Sequence, residues 1–261
     1  MVNFSETVLF EKKKLNVKQG VLLVGLPGIG LISKLSVDYL IKELKAEKVC
    51  TVYSPHFPNQ MIAKPNGRLK PITMGLYHKK MKNNDFLFLS SNIQPITVEG
   101  QYEVSGKILD FCKNTGIKDV IGIAGYAINK KIEGKPTIYV SGSDQQLVAS
   151  FVDKKQAKRT EFPVPVVGMA ALLPGLSKPF GLKGVCLLVE TPGNNIDAIA
   201  SKHLLTMLEK RFNVNFGDKN TSVRASKIES AIKAAQPEQK APILPVQETS
   251  SQESDQLRYI R

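Results

Sequence analysis

The residues best placed to do chemistry form a glycine-rich turn, Gly25-Leu26-Pro27-Gly28-Ile29-Gly30, between an apolar run and a helix-like stretch. A turn of this kind at a helix entrance presents backbone N–H groups to an anion, the arrangement that cradles phosphate. Its spacing is GxxGxG rather than GxGxxG, and Lys34 follows Ser33 with no Gly-Lys-Ser/Thr, so neither familiar phosphate loop is present. The competing reading is a tight strand-to-helix turn, in which glycine lets backbones approach closely and Pro27 pre-sets the entry. On that reading, valine in place of Gly28 or Gly30 damages folding.

Glu190 is the best candidate for acid–base work. It ends a strand-like run just before Thr191-Pro192-Gly193, at the edge where open α/β sheets hold ligands. Asp197, a few residues on, suits the first turn of a helix, where its charge meets the dipole. An enzyme of phosphorylase or ATP-dependent ligase type would use the Gly25–Gly30 turn and Glu190. Little else supports catalysis. His56, His78 and His203 are far apart and fit no metal-ligand spacing, and there is no GxSxG elbow. Cys50, Cys112 and Cys186 sit among apolar residues with no basic neighbour to activate them, so they read as buried thiols in a reducing cytoplasm. No catalytic residue, cofactor or metal is expected.

The elements that would position these residues alternate strand and helix. Strand-like runs are Gly20–Leu26, Lys48–Tyr53, Ile72–Tyr77, Asp85–Ser90, Val120–Ala124, Ile138–Val140 and Val185–Glu190, with Asn83-Asn84 as a turn signal. Helical spacing covers Ile29–Leu44 (Ile32, Leu35, Ser36, Tyr39, Leu40 and Leu44 on one face), Glu99–Lys113 stopping at Gly116, and Asn195–Phe212 (Ile199, His203, Leu204, Met207 and Leu208 on one side). This alternation predicts a three-layer α/β/α sandwich around a twisted, mostly parallel or mixed sheet. The expected domain spans 1–235 and closes with a helix at about 222–235. Residues 236–256, with three prolines, no aromatic and abundant Gln, Ser and Glu, read as a flexible linker and a disordered tail. Leu257, Arg258, Tyr259, Ile260 and Arg261 then regain apolar and aromatic character.

The chain has 261 residues and a net charge of +13; 29 basic and 17 acidic residues precede Phe216. The cations come in short runs, Lys12–Lys14, Lys79–Lys82 and Lys154–Arg159, with none of the aromatic interleaving of a base-stacking platform. A solvated basic surface is expected, not specific nucleic-acid recognition. There is no run of 18 apolar residues and no signal peptide at Met1–Lys14, so neither a membrane span nor export is expected. The loop from Ser54 to Gly67 has three prolines after a strand and carries Phe57 and Met61, residue types suited to a protein interface.

The run VLLVGLPGIGLISKLSVDYLIKEL resembles the opening strand, glycine turn and first helix of the proteasome assembly chaperone family, archaeal branch. PHFPNQ, GRLKPI, NIQPITVEGQYEVSGKILDF, IGIAGY and CLLVETPG follow in that family's order, so the resemblance covers residues 1 to about 212. It implies a phosphorylase/hydrolase-like sandwich without catalysis, a non-catalytic scaffold that is homo-oligomeric or paired with a related chaperone subunit. It also implies a C-terminal tail that docks on the α subunits of the 20S proteasome, as an assembly chaperone or a cap. The family's terminal motif is hydrophobic–Tyr–any residue; here the order is Tyr259-Ile260-Arg261. The physical logic survives the change, because an aromatic, an aliphatic and a free carboxylate still end a flexible leash. The expected partner-binding residues are therefore Leu257, Tyr259, Ile260 and Arg261, with Phe57 and Met61 on the folded part.

Overall fold

A computed structural model describes residues 5–217, apart from 83, 129, 154, 155, 194 and 195. The helix expected at 222–235, the linker at 236–256 and the terminal motif at 257–261 lie outside the described residues.

Strand β2 (Gly20–Gly25) shows why a sheet forms at the centre: all six residues are buried. Val21 and Leu23 face one side and Leu22 and Val24 the other, the period of two of a pleated strand. Both faces must therefore be covered. On the same pattern, β2 pairs in parallel with β7 (Asp85–Ser90) and β8 (Ile117–Ala127), and β8 pairs in parallel with β11 (Lys183–Thr191). Antiparallel strands extend this core. On one flank lie β6 (Met74–Lys80), β3 (Glu47–Tyr53) and β1 (Val8–Glu11). On the other, β9 (Ile138–Gly142) runs antiparallel to β11, and β10 (Ala157–Arg159) runs parallel to β9. The mixed nine-stranded sheet has the order β1-β3-β6-β7-β2-β8-β11-β9-β10. A separate hairpin, β4 (Met61–Ala63) and β5 (Leu69–Pro71), stands in the β3–β6 connection.

Helices α1 (Ile32–Glu43), α3 (Gln145–Phe151) and α5 (Ala198–Phe212) cover one face. Helices α2 (Val98–Thr115) and α4 (Met169–Gly175) cover the other, completing the three layers. Thr97 caps α2 by accepting from the Gly100 N–H at 3.0 Å, and Gly116 (φ 87°) closes it, as the sequence pattern predicts. Helix α4 rests on the sheet at van der Waals distance only because β8 and β11 carry glycines beneath it. A Cβ at Gly122 would lie 1.8 Å from the Ala170 carbonyl oxygen, and one at Gly184 1.8 Å from that of Pro174.

Three expectations are corrected. Helix α1 starts three residues later than its apolar spacing suggests, because Gly30 (φ 67°) and Leu31 (φ 51°) are left-handed and turn the chain before it. Ile199 is 73% exposed: it lies in the first turn of α5, beyond the sheet, and Leu205 takes its place in the core. The short elements β1, β4, β5, β10, α3 and α4 are absent from the sequence reading. Among the described residues no helix is long and apolar enough to cross a membrane.

Cys50, Cys112 and Cys186 are free and buried. Burial pushes the Cys186 thiol up to about 12, and burial with nearby Glu11 does the same for Cys50. The native state thus holds these protons longer than the unfolded chain, whose thiols titrate near 9. Stability should be intact below pH 9 and fall as pH rises towards 12, by up to about 1.4 kcal/mol per thiol per pH unit. Urea midpoints measured from pH 8 to 11 check this; in parallel, thiol reagents should label native protein slowly and all three cysteines once it is unfolded.

Candidate functional site

The chain leaving β2 turns towards β3, whereas the chain leaving β8 goes to β9 on the opposite side of the sheet. Connections that part in this way open a crevice between the carboxyl ends of neighbouring strands. A cavity of about 470 Å³ lies there, floored by Leu26–Ile29 of the glycine turn and Ile123–Ala127 of β8, and walled by Phe162–Val167.

Two polar side chains of its lining, Ser33 and Gln94, are spent on the chain itself. Ser33 Oγ donates to the Val24 carbonyl at 2.5 Å and accepts from the Leu26 N–H at 3.3 Å, stitching the turn to the start of α1. Gln94 Nε2 donates to the Pro27 carbonyl at 2.7 Å, while its Oε1 accepts from the Met169 N–H at 2.9 Å. One amide thus ties the glycine turn to the entrance of α4. The Gly30 carbonyl accepts from the Asp197 N–H at 2.9 Å, and that of Gly28 from the Leu31 N–H at 3.0 Å. Lys34 pairs with Asp38 and donates to Ser90 Oγ at 3.2 Å instead of reaching the turn. The turn's geometry is that of close packing: a Cβ at Gly125 of β8 would lie 2.2 Å from the Ile29 carbonyl oxygen.

Glu190 also has a structural post. Its carboxylate accepts from the Thr137 N–H at 2.8 Å and from Tyr139 Oη at 3.0 Å, pinning β9 to the end of β11. Burial, and then this bond to Glu190, raise the Tyr139 phenol to about 12. Asp197 caps α5, accepting from the Ala200 N–H at 2.8 Å and from Thr191 Oγ1 at 2.9 Å, in keeping with its helix-entrance reading. The histidines stay apart: His56 meets Thr97 at the entrance to α2, His78 pairs with Asp85 at 2.8 Å, and His203 lies on α5. His203 Nε2 is buried without a hydrogen bond, and burial beside Lys135 and Lys210 lowers its pKa. Among the described residues no three His, Cys, Asp or Glu side chains gather as metal ligands.

The two interface candidates on the folded part separate. Phe57 is 5% exposed and packs among the residues beneath α2, so its placement on a surface is corrected: the loop folds back and buries its aromatic ring. Met61 is 61% exposed on β4. The register Met61↔Pro71 and Ala63↔Leu69 puts all four on one face of the hairpin, an apolar face that the period-two pattern could have disclosed. Gln94 and the Phe162–Val167 wall carried no sequence signal of their role. Leu257, Tyr259, Ile260 and Arg261 lie outside the described residues.

The expectation for Gly28 is corrected too. Its φ of −166° is extended backbone, and a Cβ there meets nothing within 4 Å. At Gly30, φ is 67° and a Cβ would press on Thr191 Oγ1 at 3.2 Å. Gly30→Val should therefore cost about 1–3 kcal/mol, whereas Gly28→Val stays close to the parent. Gln94→Ala should cost about 1–3 kcal/mol by leaving its backbone partners unpaired. Denaturant midpoints of the three variants check the ranking.

Known proteins match this frame throughout. An uncharacterized protein of Methanocaldococcus jannaschii is 26% identical over 244 residues, covering 94% of this chain and 93% of its own. The crystal structure of Pyrococcus furiosus PbaB, an archaeal proteasome activator, is 26% identical with a TM-score of 0.76, covering 90% of this chain and 99% of that one. Pyrococcus furiosus PbaA, an archaeal homolog of proteasome-assembly chaperone, shares the fold at 22% identity and a TM-score of 0.69, with the same coverage. The PAC2 family profile matches residues 22–236, most of the sequence. The chain belongs to the PAC2 family.

Proposed function

We propose that this protein is a non-catalytic scaffold that binds the α ring of the 20S proteasome, as an assembly chaperone or a cap of the finished particle. The observation that carries the reading is the likeness to PbaB, a proteasome activator, over 90% of this chain at a TM-score of 0.76. The cleft supports the same side: around the glycine turn, the side chains an enzyme would use are engaged in holding the turn, β9 and α5 in place.

In this proposal the docking element is the chain end. The 21 residues from Gln236 to Gln256 have the composition of a flexible leash, with a typical span of about 25 Å. Tyr259 and Ile260 fill a pocket on the α ring, and the terminal carboxylate pairs with a cation there. One tail binds weakly because ordering it costs free energy, and several tails on one homo-oligomer bind together at high effective concentration. The oligomer forms through the folded part, with Met61 and its hairpin face among the contacts, and a related chaperone subunit is a further partner.

Deleting Tyr259–Arg261 should weaken binding to 20S particles by at least about tenfold, since apolar anchors of this kind carry most of a contact's energy. Tyr259→Ala and Ile260→Ala should each weaken it, and so should one residue added after Arg261, which moves the carboxylate out of register. Surface binding measurements check affinity, and native mass measurements should show an unchanged oligomer. Unchanged affinity in both the deletion and the extension would overturn the tail reading. A chain ending at Ala235 should keep the full-length mass; a monomer would show that the tail holds the subunits together.

A further inference from the structure

The four parallel strands at the centre of the sheet all start at one edge, and each brings a lysine there. Lys82 stands ahead of β7, Lys18 ahead of β2, Lys118 is the second residue of β8, and Lys183 opens β11. The strands are consecutive in the order β7-β2-β8-β11. At about 4.8 Å between neighbours, the starts of the four strands span about 15 Å, and in the pairing register Lys82 and Lys18 stand three and two residues ahead of the Asp85–Gly20–Ile117 level while Lys118 and Lys183 lie one position past it. All four are exposed, and none has a carboxylate at ion-pair distance among the described residues.

Other cations crowd the same edge, but many have a local purpose. Lys42, Lys113 and Lys210 lie in the last turns of α1, α2 and α5, where a cation offsets the helix dipole. The strand-mouth lysines have no such employment. The nearby carboxylates are mostly engaged: Glu47 with Lys13, and Asp85 with His78. Asp119, opposite Lys183 in the β8–β11 register, is half-buried and offsets one charge of the row.

The chain also departs from this edge. Phe216 is fully buried with its ring 5.6 Å from that of Phe86, the second residue of β7, and Gly217 sits against Glu43 at the end of α1. The last described residues, Phe216 and Gly217, thus lie at the lysine edge.

We propose that the amino edge of the sheet is a docking face for an acidic protein surface, centred on Lys82, Lys18, Lys118 and Lys183. Its partner is the one the chain end binds, and in that respect the inference rests on the proteasome-binding reading. A protein fits the row better than a nucleic acid. The row consists of lysines alone, with no arginine fork to read bases and no aromatic on which to stack them. Point charges of one sign on a rigid edge attract an opposite surface over about a Debye length and raise the association rate. The face would bring the partner close while the tail searches for its pocket.

The test uses the full chain, a triple variant Lys18→Glu/Lys118→Glu/Lys183→Glu, and a control Lys130→Glu/Lys131→Glu/Lys135→Glu. The control makes the same change in net charge on exposed residues of the β8–β9 connection, at the opposite edge. Association with archaeal 20S particles, with polyglutamate and with a short duplex DNA is followed at low and high salt, after thermal melting confirms that each variant folds. The amino-edge variant should associate with 20S particles at least about tenfold more slowly at low salt, with a flattened salt dependence. It should lose polyglutamate in parallel, while the control stays within about twofold of the parent. Equal losses in both variants would mean that net charge alone acts, and would overturn the proposal. So would an unchanged amino-edge variant, or a loss confined to DNA. Should the parent fail to bind 20S particles, the proteasome reading falls, and the polyglutamate comparison alone decides the face.

Discussion

Everything in this fold depends on burying four parallel strands on both faces. β7, β2, β8 and β11 are apolar on both sides, so helices must close over each face. Leu22, Leu23, Leu87, Phe88, Ile121 and Leu187 are fully buried, each worth about 1.5–3 kcal/mol. The two edges of the sheet are left outside this closure.

The two edges differ in kind. At the carboxyl edge, Met61, Leu69, Ile96, Val98 and Val167 are each more than 60% exposed, and Val167 lines the cleft. Gln94 and Ser33 spend their hydrogen bonds on backbone, and Glu190 and Asp197 hold β9 and α5. The apolar groups exposed there suit contact with another surface. The amino edge is cationic, and there the aromatic contact of Phe216 on Phe86 fixes the point from which the chain continues.

Much of the architecture was legible because long elements advertise their period. Gly20–Gly25 and Asp85–Ser90 appear as continuous apolar runs, and Gly116 marks the end of α2 by the one conformation that glycine tolerates best. Asp197 was legible as a helix-entrance residue for a similar reason, since capping is a local affair of three residues. The three- and four-residue strands β1, β4, β5 and β10 and the seven-residue helices α3 and α4 were not, because such a short segment acquires its conformation from what it packs against.

The sequence by itself determined the layering, the alternation of strand and helix, the burial of the three thiols and the basic charge, since each depends on residue type and near-neighbour spacing. Only the tertiary structure decided where those features meet. The same loop buries Phe57 and exposes Met61, because the chain folds back beneath α2 before the hairpin. Gly28 and Gly30 look alike in the sequence, yet one is extended in open space while the other is left-handed against Thr191. Lys18, Lys82, Lys118 and Lys183 are separated, each from the next, by 36 to 65 residues and come to one edge only through the crossovers that set the strand order. Strand order is a property of long-range packing, and local spacing carries no record of it.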